Sequence, residues 1–261
     1  MWPDVVDLRD FYASSLGQVT CRLVRRQIRT YWSDTTGMNV LGIGFATPYM
    51  LPFCDEASHV TAVMPARMGV LAWSAPDGGA RNAVCLADEG ALPFPDLSMD
   101  RILLVHGLEY TEQVNGLLRE LWRVLADGGR LLVVAPNRRG TWAHADDTPF
   151  GHGHPYSLDQ LNRTLRQAMF TPVHGTRALF LPPTRRRFWL AAAPAWEKLG
   201  SRWFRVLGGV VMVEAAKQIY AGTTTGERQR QRGYVTVPQG AALPRTPATQ
   251  NQVIPRGSTD K

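Results

Sequence analysis

Residues 92–135 read LPFPDLSMDRILLVHGLEYTEQVNGLLRELWRVLADGGRLLVVA, and this stretch decides the fold. Two short apolar runs, 101–105 and 130–135, have the length and the leucine and valine content of strands buried on both faces. Between them Val114, Leu117, Leu118, Leu121, Val124 and Leu125 recur at helical spacing. A helix is therefore expected over 111–126, ended by Asp127-Gly128-Gly129. Strand, helix and strand at this spacing make a right-handed crossover between parallel neighbours.

The same alternation extends outward. Upstream, 4–30 reads as one helix with Val5, Leu8, Tyr12, Leu16, Val19, Leu23 and Ile28 on its apolar side, and Asp4 can cap it. Strands are expected at 39–44, 60–64 and 82–86, a short helix around 49–53, and a helix opened by Pro65 that runs to about Trp73. Downstream, Ser157 can cap a helix through Phe170. Then come a strand at 173–181, a helix at 188–199 and a last strand at 209–219, the two strands closing the sheet as an antiparallel pair. The expected fold is α/β, a doubly wound, mostly parallel, Rossmann-like sheet. Its ligands would sit at the carboxyl ends of the strands, beside the point where strand order reverses.

Composition narrows the class. A chain of 261 residues with 44% hydrophobic and 20% charged residues is long enough to bury a core and excludes a disordered, collagen-like or coiled-coil protein. Cys21, Cys54 and Cys85 are odd in number and widely spaced, which argues against a disulfide framework or a four-ligand zinc site and suggests a reducing cytoplasm. The apolar run 206–213 falls far short of the ~20 residues of a membrane span, and the amino terminus lacks a basic-then-apolar export signal, so a cytoplasmic protein is expected. Of the formal charge of +7, +4 belongs to 223–261, rich in Thr, Gln, Gly and Pro. That segment is expected to be a flexible basic tail on a single domain of residues 1–222. Arg138-Arg139 and Arg185-Arg186-Arg187 read as solvated charge runs. Without interleaved aromatics they do not suggest nucleic-acid binding.

In their order and spacing, Leu92-Pro93-Phe94-Pro95-Asp96, Asp100, His106-Gly107-Leu108-Glu109-Tyr110, the 118–125 stretch LRELWRVL and Asp127-Gly128-Gly129-Arg130-Leu131 resemble the class I S-adenosylmethionine-dependent methyltransferases of the small-molecule type. The resemblance covers about residues 35–182 and implies S-adenosyl-L-methionine as cofactor. The acceptor would be a small molecule or protein that the sequence does not identify, and a protein partner is conceivable. It also implies a cofactor site at Gly42, Gly44, Phe45, Met64, Pro65, Asp88, Glu89 and His106.

Two places depart from the family pattern. Where the family usually shows an acidic residue and then Gly-x-Gly-x-Gly, the corresponding positions are Gly42, Gly44, Ala46 and Pro48, with only Gly44 retained, and Met64 stands where the family has an acid that accepts from the ribose hydroxyls. Asp88 matches the acid that resembles the adenine-amino acceptor, with Glu89 supplying an adjacent amide. These losses keep a second reading open, a non-catalytic methyltransferase-fold protein acting as a binding or regulatory partner.

His106 is the candidate catalytic residue, facing the methionine end or serving as a base, with a structural histidine as the alternative. Glu109 reads as a helix-capping or dipole partner, and Phe11 and Tyr12 either reach over the cofactor or belong to the core. The loop 141–155 is a substrate lid or a plain connection. Its Asp146, Asp147, His152 and His154 lack the spacing of a metal site, and no metal is expected.

Overall fold

In the computed structural model, which describes residues 3–74 and 83–218, seven strands form one sheet. They are β1 (Asn39–Gly44), β2 (His59–Pro65), β3 (Val84–Ala87), β4 (Met99–Val105), β5 (Leu125–Pro136), β6 (Phe170–Ala178) and β7 (Val210–Lys217). Their order is β3-β2-β1-β4-β5-β7-β6, with β1 to β5 parallel and β7 antiparallel to both β5 and β6. The doubly wound sheet and its antiparallel closing pair are as expected. The tail at 223–261 lies outside the described residues.

Seven helices complete the fold: α1 (Val5–Ala13), α2 (Ser15–Tyr31), α3 (Thr47–Met50), α4 (Val114–Val124), α5 (Leu158–Gln167), α6 (Arg187–Ala191) and α7 (Ala193–Trp203). Alternation along the strands feeds two cores. Val40, Leu103 and Leu132 point to the face covered by α1, α2 and α3, whereas Leu41, Leu104 and Leu131 point to the face covered by α4 and α5.

The motif residues hold this scaffold. Arg123 on α4 donates to the carbonyls of Leu92 and Phe94 at 3.0 and 2.9 Å and pairs with Asp96 and Glu120, while Glu120 accepts from the Leu92 amide. The guanidinium holds the Glu120 carboxyl below its usual range. The turn before β4 is thus clamped to the helix after it. Asp100 accepts from the Asn39 amide at 2.9 Å and ties in the start of β1.

Four expectations need correction. The helix expected over 4–30 is two, because Ser14 is extended and caps α2 by accepting from the Gly17 amide at 3.1 Å. A Cβ on Gly17 would collide with the Phe11 carbonyl, so glycine allows the two helices to meet at this corner. No helix follows Pro65. That residue ends β2 paired with Ala87, and after a short turn Gly69 takes φ +88°, which a helix interior does not allow. The helix α4 stops at Val124, and Asp127-Gly128-Gly129 lies within β5, where the register against β4 slips between Met99 and Arg101. The helix expected at 188–199 is divided at Ala192, where Pro194 opens α7.

Candidate active site

Strand order reverses between β1 and β4, so the crevice between their carboxyl ends is where a ligand of this fold belongs. Gly44 ends β1 at φ +81°, and an added Cβ would strike the Val105 and His106 carbonyls. Glycine there lets the two strand ends close, with the Phe45 amide donating to Val105 at 2.9 Å. Gly42 leaves room for the Met50 thioether. Both glycines serve packing inside the chain. Pro48 lies in the first turn of α3, and its carbonyl accepts from Arg25 and from the Cys21 thiol.

His106 follows β4 with φ +52°, a left-handed conformation that costs a non-glycine residue about 1–2 kcal/mol. It is fully buried. Its Nδ1 lies 3.2 Å from Glu109 Oε1 and its Nε2 2.6 Å from the Tyr12 hydroxyl, which in turn lies 2.6 Å from the Tyr49 hydroxyl. With Glu109 ionised, Nδ1–H donates to the carboxylate, Nε2 accepts from Tyr12, and Tyr12 accepts from Tyr49. Burial, reinforced by Tyr49, pushes the Tyr12 phenol well above its ordinary value, so it remains a proton donor. Phe45 stacks on Tyr12 at 5.7 Å and Phe150 lies against the imidazole at 4.8 Å, which excludes water from the relay.

Glu109 is also buried, and its Oε2 has no hydrogen-bond partner among the described residues. A buried carboxyl oxygen left without a partner is costly.

The helix α1 brings Tyr12 into place. It runs from the Val5 amide, bonded to the Met68 carbonyl at 3.0 Å, to Phe11, edge-on to Phe150 at 6.2 Å. It roofs the crevice. Beyond it a cavity of about 660 Å³ opens between α1 and the 146–153 segment, with Leu8, Phe11 and Pro149 as apolar lining and Asp4, Asp7 and Asp147 as acidic lining. The volume lies within the roughly 300–1,000 Å³ of small-molecule sites. His152 lines it too, with Nε2 on the Asp146 carbonyl at 2.9 Å. Among the described residues no three His, Cys, Asp or Glu side chains group as metal ligands.

Asp88 and Glu89 meet in a separate cleft of about 90 Å³ with Ala66, Arg67, Glu112 and Gln113. Asp88 accepts from the Gly90 amide at 2.8 Å, and Glu89 accepts from the Thr111 hydroxyl at 2.6 Å. Pro65 and Met64 are buried, and Met64 belongs to the same core cluster as Phe45, Tyr49 and Met68 instead of lining the cleft. The structure therefore joins Asp88 with Glu89, and Gly44 with Phe45 and His106, and places Met64 in the core cluster of Phe45, outside the Asp88 cleft. Sequence reasoning does not reach Tyr49, 57 residues from His106, because a distant buried partner leaves no local signal; the His106–Glu109 pairing is local, and the reading of Glu109 as a helix-capping residue hides it.

A family model described as methyltransferase domain matches residues 41–133, from β1 into β5. The malonyl-[acyl-carrier protein] O-methyltransferase of Halorhodospira halophila is 30% identical over 139 residues, 51% of this chain and 47% of its own. Over these segments the chain is similar to methyltransferases, and its sheet has the class I methyltransferase fold. Matched segments span less than half the length of the curated relatives. Among solved structures, a Haloferax volcanii protein in complex with a methyltransferase activator superposes with a TM-score of 0.57 at 13% identity, covering 81% of this chain and 96% of its own. The [4+2]-cyclase SpnF does so with a TM-score of 0.53 at 20% identity, covering 78% and 84%. Such likenesses concern the fold, which in the second case carries a cyclase.

Measured against S-adenosylmethionine, the cofactor this family implies, the residues of the methyltransferase fold fit at two ends. Asp88 and Glu89 offer polar groups in a cleft, and the unpartnered Glu109 Oε2 beside His106 offers an acceptor at the switch point. The middle lacks an acid, the cleft's 90 Å³ is below the size of a small-molecule site, and Tyr12 occupies the Nε2 side of His106.

Proposed function

We propose that the protein is an S-adenosylmethionine-dependent methyltransferase whose amino-terminal helix α1 is a lid over the cofactor crevice. The observation that carries this reading is the buried His106–Glu109 pair at the switch point, with one carboxyl oxygen that has no partner among the described residues, a costly arrangement for a core that serves stability alone. When bound, the cofactor supplies an electrophilic methyl group on a sulfonium.

The chain's own residues do the rest. Asp88 and the Glu89 amide hold the adenine edge. Glu109 fixes the imidazole with its proton on Nδ1, leaving the Nε2 lone pair to accept. Withdrawal of Tyr12 with α1 frees that lone pair to take a proton from an acceptor hydroxyl or amine, and Glu109 stabilises the resulting imidazolium. Phe45 and Phe150 keep water from the imidazole. The cavity under α1 suits an acceptor of small-molecule size, and its acidic lining favours one bearing positive charge.

The second reading, a binding protein without turnover, is favoured by Met64 and by the closed Tyr12–His106 contact. Calorimetric titration of the purified chain with S-adenosylmethionine and with S-adenosylhomocysteine tests the cofactor site on which the enzyme reading rests. Saturable binding of both at a stoichiometry of one supports the enzyme, and absence of heat at high ligand concentration refutes it.

A further inference from the structure

Twelve large apolar residues are exposed among the described ones, and six of them crowd into residues 188–207. Phe188 is 79% exposed, Trp203 71% and Phe204 54%, with Leu199, Val206 and Leu207 beside them in the chain. From Ser201 to Leu207 every residue is exposed, although the backbone there is ordered into the end of α7 and a 3-10 turn. The turn is fixed to the sheet because Asn137, buried at the end of β5, donates to the carbonyls of Val206 and Gly208 at 2.9 and 2.6 Å. On the inner side of α7, Gly200 packs against Phe180 and Trp196 stacks on Trp189 at 4.8 Å. The aromatics that remain outside are thus presented on a rigid support.

The charge around them has one sign. Arg185, Arg186, Arg187, Lys198, Arg202 and Arg205 share this segment with a single acid, Glu197, which is turned inward to accept from the Phe180 amide at 2.6 Å. One nearby carboxylate, Asp147, lies 3.9 Å from Arg185, with both side chains mostly in water.

We propose that this face docks on an anionic lipid bilayer, with Trp203, Phe204 and Phe188 entering the headgroup boundary and the arginines holding lipid phosphates. Interfacial binding combines exposed Trp, Phe and Leu with a Lys/Arg rim, and this patch has both. Charge argues against the other occupants. A second copy would bring the same basic face, and residues 223–261 of this chain carry a net +4 by sequence. A nucleic acid would leave Leu199, Val206 and Leu207 without a stacking partner. No helix among the described residues is long and apolar enough to cross a membrane, which is compatible with a protein that lies on one surface. The inference stands apart from the methyltransferase reading and survives its failure.

The test is co-sedimentation of the full chain with vesicles of phosphatidylcholine alone and of phosphatidylglycerol mixed with phosphatidylcholine, at low and high salt. Binding to the mixed vesicles alone is expected, weakened by salt. The triple variant Arg185→Ser, Arg186→Ser, Arg187→Ser should lower the partition coefficient about 100-fold, at roughly fivefold per charge. The double variant Trp203→Ser, Phe204→Ser should lower it at least tenfold and should abolish a blue shift of tryptophan emission seen with the parent. Thermal melts verify that both variants fold. Failure of the parent to sediment, equal binding by parent and folded variants, or a dimer in solution that the double variant dissolves would each overturn the proposal.

Discussion

Replacing Tyr12 by Phe should strengthen cofactor binding. The hydroxyl lies 2.6 Å from both His106 Nε2 and the Tyr49 hydroxyl, while the ring packs against Phe11 and Phe45. Phenylalanine keeps the ring contacts and removes both hydrogen bonds. In the closed arrangement this leaves one or two buried polar groups unpaired, at about 1–3 kcal/mol each. With α1 withdrawn, water or ligand reaches the same groups and little is lost. The closed state is therefore destabilised relative to the open one by about 2 kcal/mol, a shift of roughly 30-fold, and the apparent affinity for S-adenosylhomocysteine rises by up to that factor. Calorimetric titrations of parent and variant at one pH measure it, and hydrogen exchange of the α1 amides reports opening. Faster exchange in Tyr12→Phe with equal or weaker affinity would refute the lid, because Tyr12 would then be a ligand contact or a bystander.

Four further outcomes are expected. Asp88→Ala should weaken S-adenosylhomocysteine binding about 5- to 150-fold with little change in melting temperature, since Asp88 is exposed and its bond within the chain is to the nearby Gly90 amide. Met64→Asp, which would restore the acid of the family pattern, should destabilise the fold by about 3 kcal/mol or more in urea titration, because Met64 is 1% exposed and a carboxylate there has no water; an unchanged midpoint would refute its burial. Gly44→Ala should cost about 2 kcal/mol or more by the same titration, since its φ of +81° and the Val105 carbonyl both oppose a side chain. Burial raises the Glu197 carboxyl above its ordinary value, so its protonated form contributes stability that is fully present below the unfolded value of about 4.3 and is lost as pH rises through the folded one. Glu197→Gln should therefore gain on the parent in melts as pH rises from about 4, and a constant difference from pH 4 to 7 would refute this.

The parts legible in sequence are those whose partners are near in the chain or whose pattern repeats. The strands β1, β4 and β5 stand out because both faces are buried, and the Arg123 clamp on Leu92 and Phe94 makes the motif before β4 and the one on α4 parts of a single contact. The split at Ser14 was readable as well. Serine is a favoured cap residue, and the apolar periodicity running through Ser14 conceals the signal. The site was less legible. Tyr12 reaches His106 from α1 and Tyr49 reaches Tyr12 from α3, and a tyrosine on an apolar helix face looks the same whether it meets a hydroxyl or a leucine. Met64 aligns with a ribose acceptor by strand position, and its burial in the core cluster of Tyr49 and Met68 is a matter of tertiary packing that strand position does not show.

The place of β7 in the sheet bears on how the chain is made. Among the described residues it is the last strand in sequence, and yet it lies between β5 and β6, paired with seven residues of β5 from Arg130 to Pro136. On a ribosome, β5 emerges with a bare edge of valines and leucines and waits for more than seventy residues of further synthesis, several seconds at about 5–20 residues per second. Trp32 on the turn after α2 likewise waits for Glu214, to whose carboxylate its indole donates at 3.0 Å. Premature termination anywhere before Val210 would leave that edge unpaired, so truncated products of this gene should be sticky, chaperone-bound species and not smaller folded domains.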